Sequence, residues 1–423
     1  MTASKFIVIP ILTCILLLID WYVWQAVKAV FQHSPAQVQT IVRYLFWSLT
    51  IVIIAGLWAY NFVDPDVLGV RMRTLILGSL FVIYFSKLFS IIFILTDDIL
   101  RLFQSLRFKM FNTNGAVESV DKEGTGISRS DFLMKTALIA ASVPAVALTW
   151  GILSGAHDYH LRRVRLVIRN LPKAFQGMTI GQISDIHTGS FFNRTAVKGG
   201  VEMLLREKAD MVFFTGDLVN DRAEEVKDYI DIFDKIRAPL GVYSTLGNHD
   251  YGAYKGWASP QAKRKNLDAV IHAHKLLGYE LLQDQNRTIT LNGEKLAIIG
   301  VHNISAKESI FYGNGDLAKA KKGTEDAPVK LLLSHDPTHW DKEVNSGFTD
   351  IDVMFSGHTH GTQFGVTIGG ECYSPAQLSY EQWAGLYQKG AQQLYVNRGF
   401  GYLGYPGRVG MPPEITIFEL SGS

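Results

Sequence analysis

The chain of 423 residues is poor in cysteine and nearly balanced in charge. Its two cysteines, Cys14 and Cys372, lie far apart and Cys14 sits in an apolar run, so a disulfide framework is excluded and the redox compartment stays open. With 41 Lys and Arg against 39 Asp and Glu, the net charge is +2, which excludes a bulk electrostatic case for nucleic acid as a partner. Also missing are paired short or Gly/Pro-interrupted apolar segments, the mark of broken-helix transporters. Lys87 counts as the one ionisable residue inside a span, and a transport domain is disfavoured. What the chain has in excess is apolar material. Hydrophobic residues make up 48% and mean hydropathy is +0.11, high for a soluble enzyme, because the apolar residues concentrate in the first 155.

Four apolar stretches, about residues 6–27, 44–63, 74–97 and 133–153, approach or exceed the roughly 20 residues that span a bilayer. The first ends in Trp21, Tyr22 and Trp24, an interfacial aromatic belt. Lys87, in the third, would snorkel, pair with a neighbour or mark a functional polar site. Any one stretch is compatible with a buried core helix. Four in sequence with short polar connectors read as a four-helix transmembrane domain over residues 1–155.

A polar segment at about 110–131 is expected to be a flexible loop. At its end, Ser128-Arg129-Ser130-Asp131-Phe132-Leu133-Met134-Lys135 resembles a twin-arginine export signal with Ser130 in place of the second arginine. An ordinary helix start with Ser130 as N-cap is the plainer reading. If connectors 28–43 and 98–135 are cytoplasmic, that side carries Lys28, Arg43, Arg101, Arg107, Lys109, Lys122, Arg129 and Lys135, against Lys5, Arg71 and Arg73 opposite. The positive-inside rule then places everything after residue 155 on the extracytoplasmic side of the cell (inner) membrane. Arg162, Arg163, Arg165, Arg169 and Lys173, taken alone, favour the reverse.

After residue 160 the pattern changes to short β-rich runs, each ending in polar residues. Met178-Thr179-Ile180-Gly181-Gln182-Ile183-Ser184 runs into Asp185-Ile186-His187. Met211-Val212-Phe213-Phe214-Thr215 runs into Gly216-Asp217-Leu218-Val219-Asn220-Asp221. Val242-Tyr243-Ser244-Thr245-Leu246 runs into Gly247-Asn248-His249-Asp250. Val329-Lys330-Leu331-Leu332-Leu333 runs into Ser334-His335-Asp336. Ile351-Asp352-Val353-Met354-Phe355 runs into Ser356-Gly357-His358-Thr359-His360. Helical stretches at 194–208 and 224–236 fall between strands, so the architecture is α/β. Each strand delivers its block to one sheet edge, where glycines 216, 247 and 357 permit close backbone approach. Together the blocks offer enough oxygen and nitrogen ligands for two divalent metal ions, and a two-metal centre suits in-line displacement at phosphorus. A lone Asp-x-His is commonly a surface turn; five such blocks directly after apolar strands are not.

These blocks and their order resemble the calcineurin-like metallophosphoesterase superfamily, and within it the membrane-associated bacterial branch that includes extracytoplasmic phosphoesterases and hydrolases of UDP-diacylglucosamine. The run Tyr395-Val396-Asn397-Arg398-Gly399-Phe400-Gly401 and Met411-Pro412-Pro413-Glu414-Ile415 are similar to that branch as well. The resemblance covers about residues 160–420 and implies a four-layer αββα sandwich over 156–423. It assigns Asp185, His187 and His360 to one metal, Asn248, His335 and His358 to the other, and Asp217 to both. Such mixed ligands suit Mn, Fe or Zn. His249 becomes the general acid or charge stabiliser at the leaving group, and such a histidine needs a carboxylate behind it. Many relatives carry that acid three residues after the bridging Asp, where this chain has Asn220; Asp221 or Asp250 is the substitute. Thr362 stands where the branch has a second glycine, and is expected to alter substrate fit more than metal binding.

Other residues are read more plainly. His157, His160, His272, His274, His302 and His339 are expected at the surface or beside the membrane, and His33 in a connector. Arg398 and Arg408 are candidates for a substrate phosphate or for loop ion pairs. Phe191, Phe192, Tyr251, Tyr254 and Trp257 flank the blocks and would touch an acyl chain or a base, or simply pack. The basic strand 162–169 either lies on anionic headgroups or forms a solvated face. The expected protein is a membrane-anchored, metal-dependent phosphoesterase (a manganese phosphodiesterase or a related hydrolase) acting on a phosphate ester that is lipid-linked or soluble, with membrane lipids as neighbours. A receptor or scaffold that keeps the domain for binding is the rival; its intact ligand set argues against it.

Overall fold

The computed structural model describes residues 5–111 and 129–422. The chain divides into two compact units, Met1–Trp150 and Gly151–Ser423.

The first unit is built from α1 (Lys5–Phe31), α2 (Ala36–Phe62), α3 (Pro65–Phe111) and α4 (Arg129–Leu153). All four helices are long and apolar enough to cross a membrane, with candidate spans Lys5–Phe31, Ala36–Phe62, Arg71–Arg107 and Phe132–His157. Gly69, at φ 71, breaks the start of α3. The outer surface is apolar: Leu18, Leu45 and Val143 are each about two-thirds exposed, which suits lipid and not water. Most of the polar stretch expected as a loop, and the first residue of the export-signal-like run, lie outside the described residues.

The count of a single ionisable residue in the spans is corrected here. Asp20, inside α1, is fully buried and forms an ion pair with Lys87 of α3. Tyr84 also donates its hydroxyl to Asp20 Oδ2 at 2.9 Å. Beside Trp21 and Tyr22, Asp20 looks interfacial in sequence, but α1 continues to Phe31 and carries it inward. Lys87 therefore does not snorkel; it is paired.

In the second unit the strands are β1 (His160–Ile168), β2 (Thr179–Ile183), β3 (Met211–Phe214), β4 (Val242–Ser244), β5 (Glu280–Leu281), β6 (Gln285–Leu291) and β7 (Glu294–Gly300). They continue with β8 (Lys330–Leu333), β9 (Val353–Ser356), β10 (Val366–Ile368), β11 (Glu371–Tyr373), β12 (Gly385–Lys389), β13 (Gln392–Val396) and β14 (Glu414–Gly422). Two six-stranded sheets form, in the orders β1-β14-β2-β3-β4-β5 and β12-β13-β9-β8-β7-β6, with β10 and β11 as a separate hairpin.

The strands of each sheet centre are apolar throughout because both faces are covered. Along β3, Met211 and Phe213 join the core between the sheets, while Val212 and Phe214 face the helices outside. Along β9, Val353 and Phe355 point inward and Met354 outward. Phe213 meets Phe355 edge-on at 5.0 Å, and Phe355 meets Phe418 of β14 at 5.0 Å. Each such ring contributes about 1.5–3 kcal/mol by leaving water.

The outer face of the first sheet is covered by α5 (Arg194–Arg206), α6 (Ile230–Phe233) and α7 (Pro260–Leu277), and that of the second by α8 (Leu317–Lys321) and the turn Trp340–Val344. Four layers, α–β–β–α, result, as the sequence led us to expect. The helix expected at 224–236 is shorter: a 3-10 segment, Ala223–Tyr229, precedes the single turn of α6. Helix α7 went unread, although Ser259 caps it, Pro260 opens it and Gly278, at φ 72, closes it.

A candidate metal centre at the strand ends

Strands β2, β3 and β4 are parallel neighbours in one sheet, and β8 and β9 in the other. Their carboxyl ends therefore open toward the same edge, the position where α/β proteins place ligands. All five blocks meet there. Asp185, His187 and His360 form one group whose ligand atoms lie within 4.8 Å of one another, and Asp217, His335 and His358 form a second.

The two groups adjoin. His187 Nε2 lies 3.1 Å from His360 Nε2, and Asp185 Oδ1 is 3.4 Å from His360 Nε2. Asp217 Oδ2 lies 3.5 Å from His187 Nε2 and 3.2 Å from His335 Nε2. One carboxylate oxygen thus faces an imidazole of each group.

The far ring nitrogens are held from behind, which orients the near ones. His335 Nδ1 meets the Thr215 carbonyl at 2.7 Å, and His187 Nδ1 meets Asn220 Oδ1 at 3.1 Å. His358 Nε2 meets the Tyr380 hydroxyl at 2.9 Å, leaving its Nδ1 toward His335. Asn248 donates through Nδ2 to Tyr254 at 2.7 Å, and its buried Oδ1 has no hydrogen-bond partner. An orphaned amide oxygen beside converging carboxylates and imidazoles is what a cation would satisfy.

The electrostatics agree. Burial alone would lower a fully enclosed imidazole, yet the charges of Asp217 and Asp185 push His335 up to about 10. Burial pushes Asp217 up, but His335, His249 and His187 together hold it well below the usual carboxylate range. Burial drives His187 down to about 3, so its ring stays neutral with a lone pair to give. The site's field is negative enough to capture a proton at its centre, and a divalent cation fits the same field.

The backbone is strained where the candidate ligands sit. Asp185, His187, Asp217, His358 and His360 all have φ between 50° and 73°, in the left-handed region that costs L-residues on the order of 1 kcal/mol each. Glycines make room. A Cβ on Gly357 would strike the Asp185 carboxylate, and one on Gly247 would strike that of Asp217. The run 397–401 closes the site from behind: Phe400 and Gly401 donate their N–H groups to the carbonyls of Ser184 and Asp185 at 2.7 and 2.9 Å.

Asp250 is not the carboxylate behind His249. Its oxygens accept the backbone N–H groups of Asp217, Leu218, Val219 and Gly247 at 2.8–3.2 Å. These bonds lock the loop that carries Asp217. His249 Nδ1 instead meets the main-chain carbonyl of Asn220 at 2.7 Å. Asp221 is half-buried with an unpartnered Oδ1, close enough for His249 to pull its pKa down against the larger rise from burial. Asn220 serves both histidines, His187 through its side chain and His249 through its backbone.

The interior decides several readings that the sequence left open and corrects two. Arg398 is tied to Glu414 at 2.6 Å. Arg408 is buried and donates to the carbonyls of Arg398, Gly399, Gly401 and Met411, so neither guanidinium is open to a phosphate. His274 and His339 are core residues, not surface ones; Ser244 holds the first and Ser334 with Glu343 the second. Phe191 and Tyr251 are packed in the core, and of the aromatic set Tyr254 reaches the site. In the basic strand, Arg162 pairs with Glu414 and Arg163 with Glu207. Tyr380 and Phe311, whose ring lies 4.4 Å from that of His358, were missed because no strand or polar block precedes them.

Fold and site together define a membrane protein with a phosphoesterase-type, two-group ligand centre. Comparison with known proteins agrees. Residues 4–156 match the transmembrane domain of a probable calcineurin-like phosphoesterase family, and residues 178–362 match the calcineurin-like phosphoesterase family. The chain is 28% identical over 256 residues to the metallophosphoesterase YkuE of Bacillus subtilis, covering 60% of this chain and 82% of that one. It is 27% identical over 329 residues to a transmembrane protein with metallophosphoesterase domain from Danio rerio, covering 76% and 71%. A Helicobacter pylori metallophosphoesterase is 30% identical over 256 residues, covering 59% and 61%. The protein carries a calcineurin-like metallophosphoesterase domain behind an N-terminal transmembrane phosphoesterase domain, and its relatives are named metallophosphoesterases.

Proposed function

We propose that the protein is a membrane-anchored, two-metal hydrolase that cleaves a phosphodiester, phosphomonoester or pyrophosphate by in-line attack at phosphorus. The observation that carries this reading is Asp217 Oδ2, which faces His187 of one ligand group and His335 of the other. Asp185, His187 and His360 would hold one ion and Asn248, His335 and His358 the second, with Asp217 placed to serve both. When bound, the ions supply charge to the phosphoryl oxygens and acidify a water. The donor set suits Mn, Fe or Zn, and manganese is the first to test.

The chain's own groups do the rest. His249 is held at Nδ1 by the Asn220 carbonyl, which orients Nε2 to protonate the leaving oxygen. Asp221 supports the imidazolium by charge, in place of the acid expected at 220. Asp250 is a positioning residue acting through the Asp217 loop.

Residues 1–155 anchor the enzyme and 156–423 carry the chemistry, on the extracytoplasmic side of the cell (inner) membrane. The excess of Lys and Arg in connectors 28–43 and 98–135 supports that side. A site tethered to the membrane favours a lipid-linked phosphate ester. The test is hydrolysis of bis-p-nitrophenyl phosphate by the full chain with Mn²⁺, followed by a panel of phospholipids and lipid pyrophosphates. No turnover by wild type, or equal turnover after Asp217→Ala, sinks the enzyme reading. Protease accessibility on intact cells decides the side.

A further inference from the structure

The helical unit holds a second polar feature, apart from the Asp20–Lys87 pair. Where α1 ends and α2 begins, a cleft of about 670 Å³ opens between the two helices, within the size range of small-ligand sites. Lys28 and Arg43 line it from opposite helices, together with Trp21, Trp24 and Trp47. Among the described residues neither cation has an acidic partner. The acids of α3 that face this end are engaged elsewhere, Asp98 by the Tyr22 hydroxyl at 2.7 Å and Asp97 by Arg101 at 2.8 Å.

The cleft is a formed feature of the hairpin. Gln39 donates to the carbonyls of Gln32 and Ser34 at 3.1 and 2.9 Å, tying α2 to the turn. Trp24 packs on Phe46 at 5.2 Å and on Trp47 at 6.3 Å, giving an aromatic floor. Along α1, Lys28 stands two turns, about 10 Å, beyond Trp21. Charges therefore lie toward the helix ends, and indole rings lie on the side of the apolar spans. That order matches an interface, phosphate level first and acyl boundary next.

We propose that this cleft binds the headgroup of an anionic phospholipid, with Lys28 and Arg43 on the phosphate and the tryptophans against the upper acyl chains. A soluble anion would satisfy the cations but leave the indole surface, with Trp21 57% exposed, without an apolar partner. A zwitterionic lipid would bring its own cation to a site that already has two. Basic pockets between transmembrane helices favour anionic headgroups for this reason.

The experiment takes the full chain in nanodiscs made from equal amounts of phosphatidylglycerol and phosphatidylcholine of the same acyl length, and counts lipids retained on the released protein by native mass spectrometry. Wild type should retain phosphatidylglycerol over phosphatidylcholine by about fivefold or more, one decade being 1.4 kcal/mol. Lys28→Gln/Arg43→Gln should bring the ratio near one, while Lys28→Arg/Arg43→Lys keeps the preference. If the glutamine variant does not fold, wild type alone decides: high ionic strength, which shortens screening to a few Å, should erase the excess. A wild-type ratio of one, a ratio unchanged in the glutamine variant, or an excess indifferent to salt overturns the proposal.

Discussion

Two of the buried charge clusters among the described residues differ in one respect. In the helical unit, Asp20 meets Lys87 and the Tyr84 hydroxyl, so both charges of that cluster are matched. At the strand ends, Asp185 and Asp217 converge with imidazoles, and the buried Asn248 amide oxygen is left without a hydrogen-bond partner. Burial costs a charge several kcal/mol in either place unless it is matched. The first cluster closes on itself and joins helices. The second is left with surplus electron pairs at its centre, and that surplus suits a metal site.

The two clusters should fail in different ways. The largest effect is expected from Asp217→Ala. It should lower phosphoesterase turnover by about four orders of magnitude, roughly 5 kcal/mol, and reduce bound metal measured by inductively coupled plasma mass spectrometry. Normal metal content in that variant would remove Asp217 from the shared position. Stripping the ions with a chelator should bring activity to background and lower the melting temperature of the catalytic unit. At a metal concentration about 100 times Kd, re-addition should restore about 2.7 kcal/mol per site.

His249→Ala should lower kcat by about 10²- to 10³-fold and keep both ions; loss of metal instead would make His249 a ligand. In the helical unit, Lys87→Met should destabilise the full chain by about 3 kcal/mol in thermal unfolding followed by circular dichroism, because Asp20 is left buried and unpaired. Adding Asp20→Asn should recover most of that, with bis-p-nitrophenyl phosphate turnover unchanged throughout. A fall in turnover would mean that the closed pair has a chemical role.

The smallest effect is expected at Thr362. It occupies φ 51, where glycine is relaxed, but its hydroxyl meets Gly361 O at 2.8 Å and Ser374 Oγ at 3.1 Å. Thr362→Gly exchanges strain for hydrogen bonds, and stability should move by less than about 1 kcal/mol.

Much of the catalytic unit was legible before any coordinates. Buried parallel strands are apolar on both faces, so the runs ending at Ile183, Phe214, Leu333 and Phe355 stand out, and the polar blocks after them are hard to mistake. The supporting contacts were not legible. Asn220 reads as a missing acid, and only its position shows that its side chain holds His187 while its carbonyl holds His249. Asp250 reads as a second acid for His249, although four backbone N–H groups consume it. His274 reads as a surface residue because its partner Ser244 lies 30 residues away in the chain, and His339 because Ser334 and Glu343, though near in the chain, do not by themselves announce burial. Asp20 was hidden by its neighbours Trp21 and Tyr22.

The amino-acid sequence by itself determined which elements form and which residue types gather at the strand ends, because periodicity and spacing are local properties of the chain. It also determined that the first third is made for lipid, since four long apolar helices have no other stable surroundings. The tertiary structure alone decided how the buried charges are matched: Asp20 with Lys87, Asp250 with the loop it locks, Asp217 between two imidazole groups. Matching depends on distances of a few ångströms between residues far apart in the chain, and on left-handed backbone at five candidate ligand positions, which the spacing of the blocks does not announce.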